Sequence, residues 1–225
     1  RAVVQRHRRV GKVAKLRLLI DALSGLAKMA SEGLVHGDIC PSNLLIFGGR
    51  DQLQWRLKLA DFGESCAYRS LEDAPRCYAA SGGSAYYLAP EAVFKDPIWR
   101  PKRDVWSLGV VLYAMLFGRI PRDLEEIFNL YFQGHILTDR ELYNALRDQF
   151  EIRQDRNFLR LMEEDPKLAG LLAGMLAPEQ YRRYSAADAL EIARFLERDT
   201  RRHERKRRRR FWSFGRERTD DASGF

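Results

Sequence analysis

Long apolar runs are missing from this 225-residue chain; the longest, Val110 to Phe117, is eight residues. A membrane-spanning helix needs about 20, so no transmembrane segment is expected. Cysteine is scarce too. Cys40, Cys66 and Cys77 are the only three, at spacings that fit neither a disulfide framework nor a zinc site. They are expected to be small buried hydrophobes in a reducing, intracellular setting, cytoplasmic or nuclear, with a redox role for Cys66 and Cys77 as the alternative. An initiator Met is absent and the start is basic rather than signal-like. The sequence is therefore expected to be a fragment, an incomplete gene model or a trimmed chain.

What is present is enough apolar material for a core, 45% of residues, and an uneven charge. The net charge is +8, yet Arg198 to Arg218 alone holds eleven Lys or Arg against three acids, and the first seventeen residues carry seven more cations. Residues 18–197 come to −5. Two basic ends bracket a mildly acidic centre. The run Arg201 to Arg210, followed by Phe211, Trp212 and Phe214, is of a kind that addresses a chain to an import receptor, binds nucleic acid or adheres to an anionic membrane; a solvated, partly helical tail is the plain alternative.

Apolar residues at Leu16, Leu19, Leu23, Leu26, Ala27 and Ala30 recur at helical spacing, and Gly33 is placed to end that helix. Leu44–Phe47 and Trp55–Leu59 read as short strands joined by a turn-rich loop. Asp104–Phe117 is apolar nearly all round and so predicts a buried central helix stopped by Gly118. Further helices are expected around Leu124–Phe132, Glu141–Phe150, Pro166–Ala177 and Ser185–Arg198.

Between the first helix and the strands lies Val35-His36-Gly37-Asp38-Ile39-Cys40-Pro41-Ser42-Asn43-Leu44-Leu45. Its apolar flanks anchor a polar loop that carries a carboxylate and an amide five residues apart. Taken alone, Asp and Asn in a loop are turn formers. Order changes that reading: Leu59-Ala60-Asp61-Phe62-Gly63 follows, then Ala89-Pro90-Glu91, then Asp104-Val105-Trp106-Ser107-Leu108-Gly109.

Those four motifs in that order resemble the eukaryotic protein kinase family, of divergent Ser/Thr type, over roughly residues 16–197. The resemblance implies an α+β, mainly helical fold: the C-terminal lobe of the bilobal kinase fold, with short catalytic-loop strands. Residues 1–17 would be a basic segment, 18–197 the lobe and 198–225 a basic, aromatic tail. The implied activity is transfer of a phosphoryl group from ATP, with Mg2+, to Ser or Thr of a protein substrate. Asp38 would be the base or orienter of the hydroxyl, Asn43 and Asp61 the metal and cofactor ligands, and Ser84 a hydroxyl contacting Asp38. Phe62 would pack into the core and Gly63 let the backbone swing. Asp104 would accept backbone N–H bonds from the loop around His36, and Glu91 would pair with Arg183, Arg182 being the competing partner.

Departures from the family pattern matter as much. No glycine-rich phosphate loop, strand lysine or partner glutamate precedes Leu16. Gly37 replaces the arginine before the aspartate, which removes a receiver for an activation-segment phosphate, and Cys40 replaces the lysine that steadies the transferred phosphate. These motivate a second reading, a pseudokinase scaffold or allosteric partner. The His-Gly-Asp motif also resembles small-molecule phosphotransferases of the same fold, which lack the Ala-Pro-Glu and Asp104 motifs.

Overall fold

Helix α1, Lys12–Ser31, buries Val13, Leu16, Leu19, Leu23 and Leu26 along one side, each worth about 1.5–3 kcal/mol of transfer free energy. Ala27 and Ala30 are only half-buried. The helix ends where Gly33 takes a left-handed φ of 72°. A computed structural model describes the backbone of residues 9–67, 82–93 and 101–220 and, of these, the side chains other than those of 82–84 and 208–220.

Short strands follow. β1 (Leu34–Val35) pairs antiparallel with β4 (Cys66–Ala67), and β2 (Leu44–Phe47) with β3 (Arg56–Leu59) in the register Leu44 opposite Leu59. Both expected strands of the hairpin are present, the second one residue shorter. Asp21 on α1 fixes the hairpin: its carboxylate accepts from the Arg56 guanidinium at 3.0 and 3.1 Å and from the Leu57 amide at 2.9 Å.

After the four-residue helix α2 (Pro90–Val93) comes α3, Lys102–Phe117. Every residue from Arg103 to Met115 is buried, as an all-round apolar pattern requires. Gly118 closes it with φ 80°, its amide donating to Ala114 O at 2.8 Å. The chain continues through α4 (Arg122–Phe132), α5 (Asp139–Asn144), α6 (Arg156–Glu164), α7 (Pro166–Met175) and α8 (Ala186–Asp220); α3 packs against α1 and α7, α6 lies on α7, and α8 lies along α1. The result is a mainly helical body with two small sheets at one side of α1.

Three elements differ from the sequence expectation. The helix expected over 141–150 is α5 followed by a π-helical turn, Ala145–Gln149. Helix α6 was not expected, because it buries only Phe158 and Leu161 and leaves its other apolar residues, Leu159 and Met162, exposed; the Asp155 carboxylate caps it by accepting from the Phe158 amide at 2.9 Å. Helix α8 runs on past Arg198 to Asp220 without a break. Arg, Lys and Glu are good helix formers, and Arg201–Glu197 and His203–Asp199 add i,i+4 pairs. Burial stops near Glu197, and residues Arg202 to Arg207 are exposed on every side.

Cys40 is free and buried, whereas Cys66 is disulfide-bonded, which corrects the expectation of a reduced thiol there. Among the described residues no single helix is long and apolar enough to cross a membrane.

Candidate active site

The loop between β1 and β2 is held from three directions. From below, the Asp104 carboxylate on α3 accepts the His36 amide at 2.7 Å (Oδ2) and the Gly37 amide at 3.0 Å (Oδ1). A carboxylate is suited to this because it has only acceptors to offer and two oxygens to place. Burial pushes the Asp104 carboxyl up from its ordinary range, against the opposite pull of the Arg103 guanidinium and those two amides.

From within, the Asn43 amide nitrogen donates to both the backbone oxygen and the Oδ2 of Asp38, each at 2.8 Å. One side chain thus ties down the Asp38 main chain and aims its carboxylate. Asn43 is itself buried, and its amide N–H donates to Cys40 O at 3.0 Å.

From the side, His36 is fully buried and its Nε2 lies 3.2 Å from Ala60 O; a carbonyl can only accept, so Nε2 is the donor. The Ala60 amide donates to Asn43 O at 2.9 Å, extending the β2–β3 ladder by one bond. Ala60 is therefore gripped at both ends, and the next residue is Asp61. Its φ of 61° is left-handed, the one non-glycine example among the described residues. Backbone in that region costs of order 1–3 kcal/mol and persists only where neighbours impose it. Asp61 is exposed, and its Oδ1 receives the Gly63 amide only at a long 3.4 Å. Phe62 rests on the His36 ring, centroids 5.0 Å apart, but is 53% exposed rather than packed in the core.

The donor set has the chemistry of a hard cation site. In both bonds to Asp38, Asn43 uses its nitrogen, which leaves its Oδ1 outside them, and Asp61 offers an exposed carboxylate. Magnesium commonly takes one or two such oxygens and completes its shell with phosphate and water. No cluster of three His, Cys, Asp or Glu side chains that could hold a metal ion occurs among the described residues.

Farther out, Glu91 and Arg183 form a two-pronged ion pair, Nη1–Oε1 2.5 Å and Nη2–Oε2 2.9 Å. Arg183 is 1% exposed and also donates to the carbonyls of Ala177, Pro178 and Lys102; Arg182 is exposed beside the Tyr181 ring. Ser84 falls in the 3-10 turn Gly82–Tyr87, with its side chain outside the described residues. So are Tyr68, Ser70, Cys77, Tyr78 and Ser81 of the expected activation segment, the Phe211, Trp212 and Phe214 side chains and the cations Arg1, Arg6 and Arg8. Tyr87 packs near Cys40, and burial with that neighbour pushes its hydroxyl up to about 12.

Sequence reasoning passed over Arg103. It is 4% exposed, and its Nη2 donates to Gly37 O at 3.2 Å. The signal available was an arginine next to Asp104 at the head of a helix that is otherwise buried on all sides.

The chain is similar to known Ser/Thr protein kinases. The Ser/Thr protein kinase GIN4 of Saccharomyces cerevisiae is 31% identical over 176 residues, which is 78% of this chain and 13% of that protein. CBL-interacting protein kinase 4 of Oryza sativa subsp. japonica is 31% identical over 129 residues, 57% of this chain and 27% of that protein. The Ser/Thr protein kinase CHK1 of Saccharomyces cerevisiae is 30% identical over 155 residues, 68% and 28%. This chain thus spans less than a third of the length of each of these relatives. The model of the protein kinase domain matches residues 2–195, and the chain belongs to the protein kinase domain family.

Proposed function

We propose that this chain is the C-terminal lobe of a kinase domain that transfers a phosphoryl group from magnesium ATP to Ser or Thr of a protein. The observation that supports this reading is the connected strip Asp38–Asn43–Ala60–Asp61, in which the Asn43 side chain holds Asp38 through its nitrogen and the Asn43 backbone oxygen holds Ala60, the residue before Asp61. When bound, magnesium ATP supplies the phosphoryl group and neutralises the charge that develops on it. Asn43 Oδ1 and the Asp61 carboxylate would hold the cation. Asp38, its Oδ2 fixed by Asn43, would accept or orient the proton of the acceptor hydroxyl at Oδ1 or Oδ2. Asp104 does no chemistry; it keeps the loop in shape from below.

One observation favours a second reading, a pseudokinase scaffold. Cys40 is 5% exposed and has no cationic group, where the family resemblance calls for a lysine on the transferred phosphate. The two readings separate in the full-length protein, given magnesium ATP and a Ser/Thr-containing basic protein, with Asp61→Asn alongside. The kinase reading expects transfer that falls by roughly 100-fold or more in the variant. Equal background signals from both would remove it and leave the scaffold.

A further inference from the structure

A cation cannot be carried by the loop at position 37. Gly37 has φ 86°, and a Cβ there would stand 2.6 Å from Glu64 O, so no side chain fits without moving backbone. The space under the loop is instead entered from α3 by Arg103, whose Nη2 meets Gly37 O at 3.2 Å. Four carboxylates, Asp104, Glu91, Asp38 and Glu64, act on that guanidinium and oppose the effect of its burial, which lowers its pKa.

The bond falls on a sensitive point. Gly37 O belongs to the peptide unit that leads into Asp38, and that unit is planar and moves as one piece. Its other end, the Asp38 amide, has only a long 3.4 Å contact to His36 Nδ1. Arg103 is therefore the stronger of the two holds on a plate whose tilt sets where the Asp38 side chain points. Buried as it is, the guanidinium cannot be reached by a phosphate.

We propose that Arg103 is a positioning residue: from the core helix it holds the Gly37–Asp38 peptide, and through it the Asp38 carboxylate, permanently in the orientation needed for transfer, with no activation-segment phosphate required. The inference rests on the role given to Asp38 above and extends it to a residue that touches neither substrate nor nucleotide.

The test uses the full-length protein as wild type, Arg103→Met, Arg103→Lys and Asp61→Asn. Amide hydrogen exchange over residues 35–43 is compared with that of α1 and α7, and kcat is separated from KM for ATP. In Arg103→Met, exchange of 35–43 should rise by ~10-fold or more while α1 and α7 keep their protection. Its kcat should fall ~10–100-fold, as misplacement by about an ångström does, with KM for ATP changed by less than ~2-fold. Arg103→Lys keeps the charge without the planar fork and should lie between the two. Phosphatase treatment should leave wild-type kcat unchanged. Exchange that rises evenly over the whole body would mark Arg103 as merely structural and overturn the proposal, as would unchanged exchange over 35–43. Should Arg103→Met not fold, Arg103→Lys decides: indistinguishable from wild type in exchange and kcat, it overturns the proposal. If wild type and Asp61→Asn are equally inactive, the kinase reading fails, while the exchange comparison still rules on whether Arg103 holds the loop.

Discussion

Replacing Arg183 by Met should strand Glu91 and three carbonyls in the core. The Arg183 side chain is 0% exposed and that of Glu91 16%. Both guanidinium nitrogens of the fork sit on the Glu91 oxygens, and the same side chain serves Ala177 O at 2.9 Å, Pro178 O at 3.0 Å and Lys102 O at 3.1 Å. Its guanidinium also lies 5.0 Å from the Trp106 ring centre. Methionine fills most of the volume but satisfies none of these acceptors. Breaking a buried pair by removing one partner costs about 3–5 kcal/mol, because the remaining charge has nowhere to go. For a body of this size that is a fall in Tm of roughly 6–20 °C. Urea unfolding at constant m-value measures it directly, with Arg182→Ala as the surface control, expected within about 0.5 kcal/mol of wild type. A loss below ~1 kcal/mol for Arg183→Met would mean that Glu91 finds water or another partner, and the account of a sealed ion pair would be wrong.

Asp104→Asn should cost about 1–3 kcal/mol, since the two amides sit on separate carboxylate oxygens and the NH2 that replaces one of them would face the His36 or Gly37 amide donor to donor; thermal melts read this, and a change under ~0.5 kcal/mol would refute it. Gly37→Ala should lose about 1–3 kcal/mol from its left-handed φ and the contact with Glu64 O, which chemical denaturation would detect. At the start of α8, Ser185 and Asp188 cap each other, the Ser185 hydroxyl donating to Asp188 Oδ2 at 2.6 Å and accepting the Asp188 amide at 3.2 Å. Ser185→Ala should therefore cost ~1 kcal/mol at pH 7. The Ser185 bonds hold the Asp188 carboxyl below its ordinary 3.8. A depressed carboxyl stabilises above its unfolded value and loses that contribution as pH falls through the folded one. The Ser185→Ala penalty should thus shrink below about pH 4, and one that is the same at pH 3 and pH 7 would contradict this.

Much of the frame was legible because it depends on local pattern. The apolar spacing over 16–30 marks α1, and the all-apolar stretch after Asp104 marks a helix that must be buried whichever way it turns. Helix α6 was not legible, since its four apolar residues, Phe158, Leu159, Leu161 and Met162, cluster in five positions and only two of them are buried, too short a stripe to stand out. The π turn at Ala145–Gln149 was not legible either, because tertiary packing rather than sequence period decides where a helix widens. Helix α8 outran its expected end because cations at helical spacing look alike whether the helix continues or frays. At the site, Asp38, Asn43 and Asp61 could be picked out by type and spacing, but not the fact that the Asn43 amide holds Asp38 twice. Phe62, expected in the core, lies on His36 and is mostly exposed.

The sequence by itself determined the family, the order of the motifs and the helical character of the body, all of which follow from residue type and short-range spacing. Only the tertiary structure decided which charges meet. Arg183 rather than Arg182 reaches Glu91, and Arg103 takes its place beneath Gly37, because those choices depend on where segments 92 and 66 residues apart in the chain come to lie. Burial then sets what each contact is worth: an arginine in water costs little to lose, whereas one sealed among carbonyls and carboxylates holds the loop on which the proposed chemistry depends.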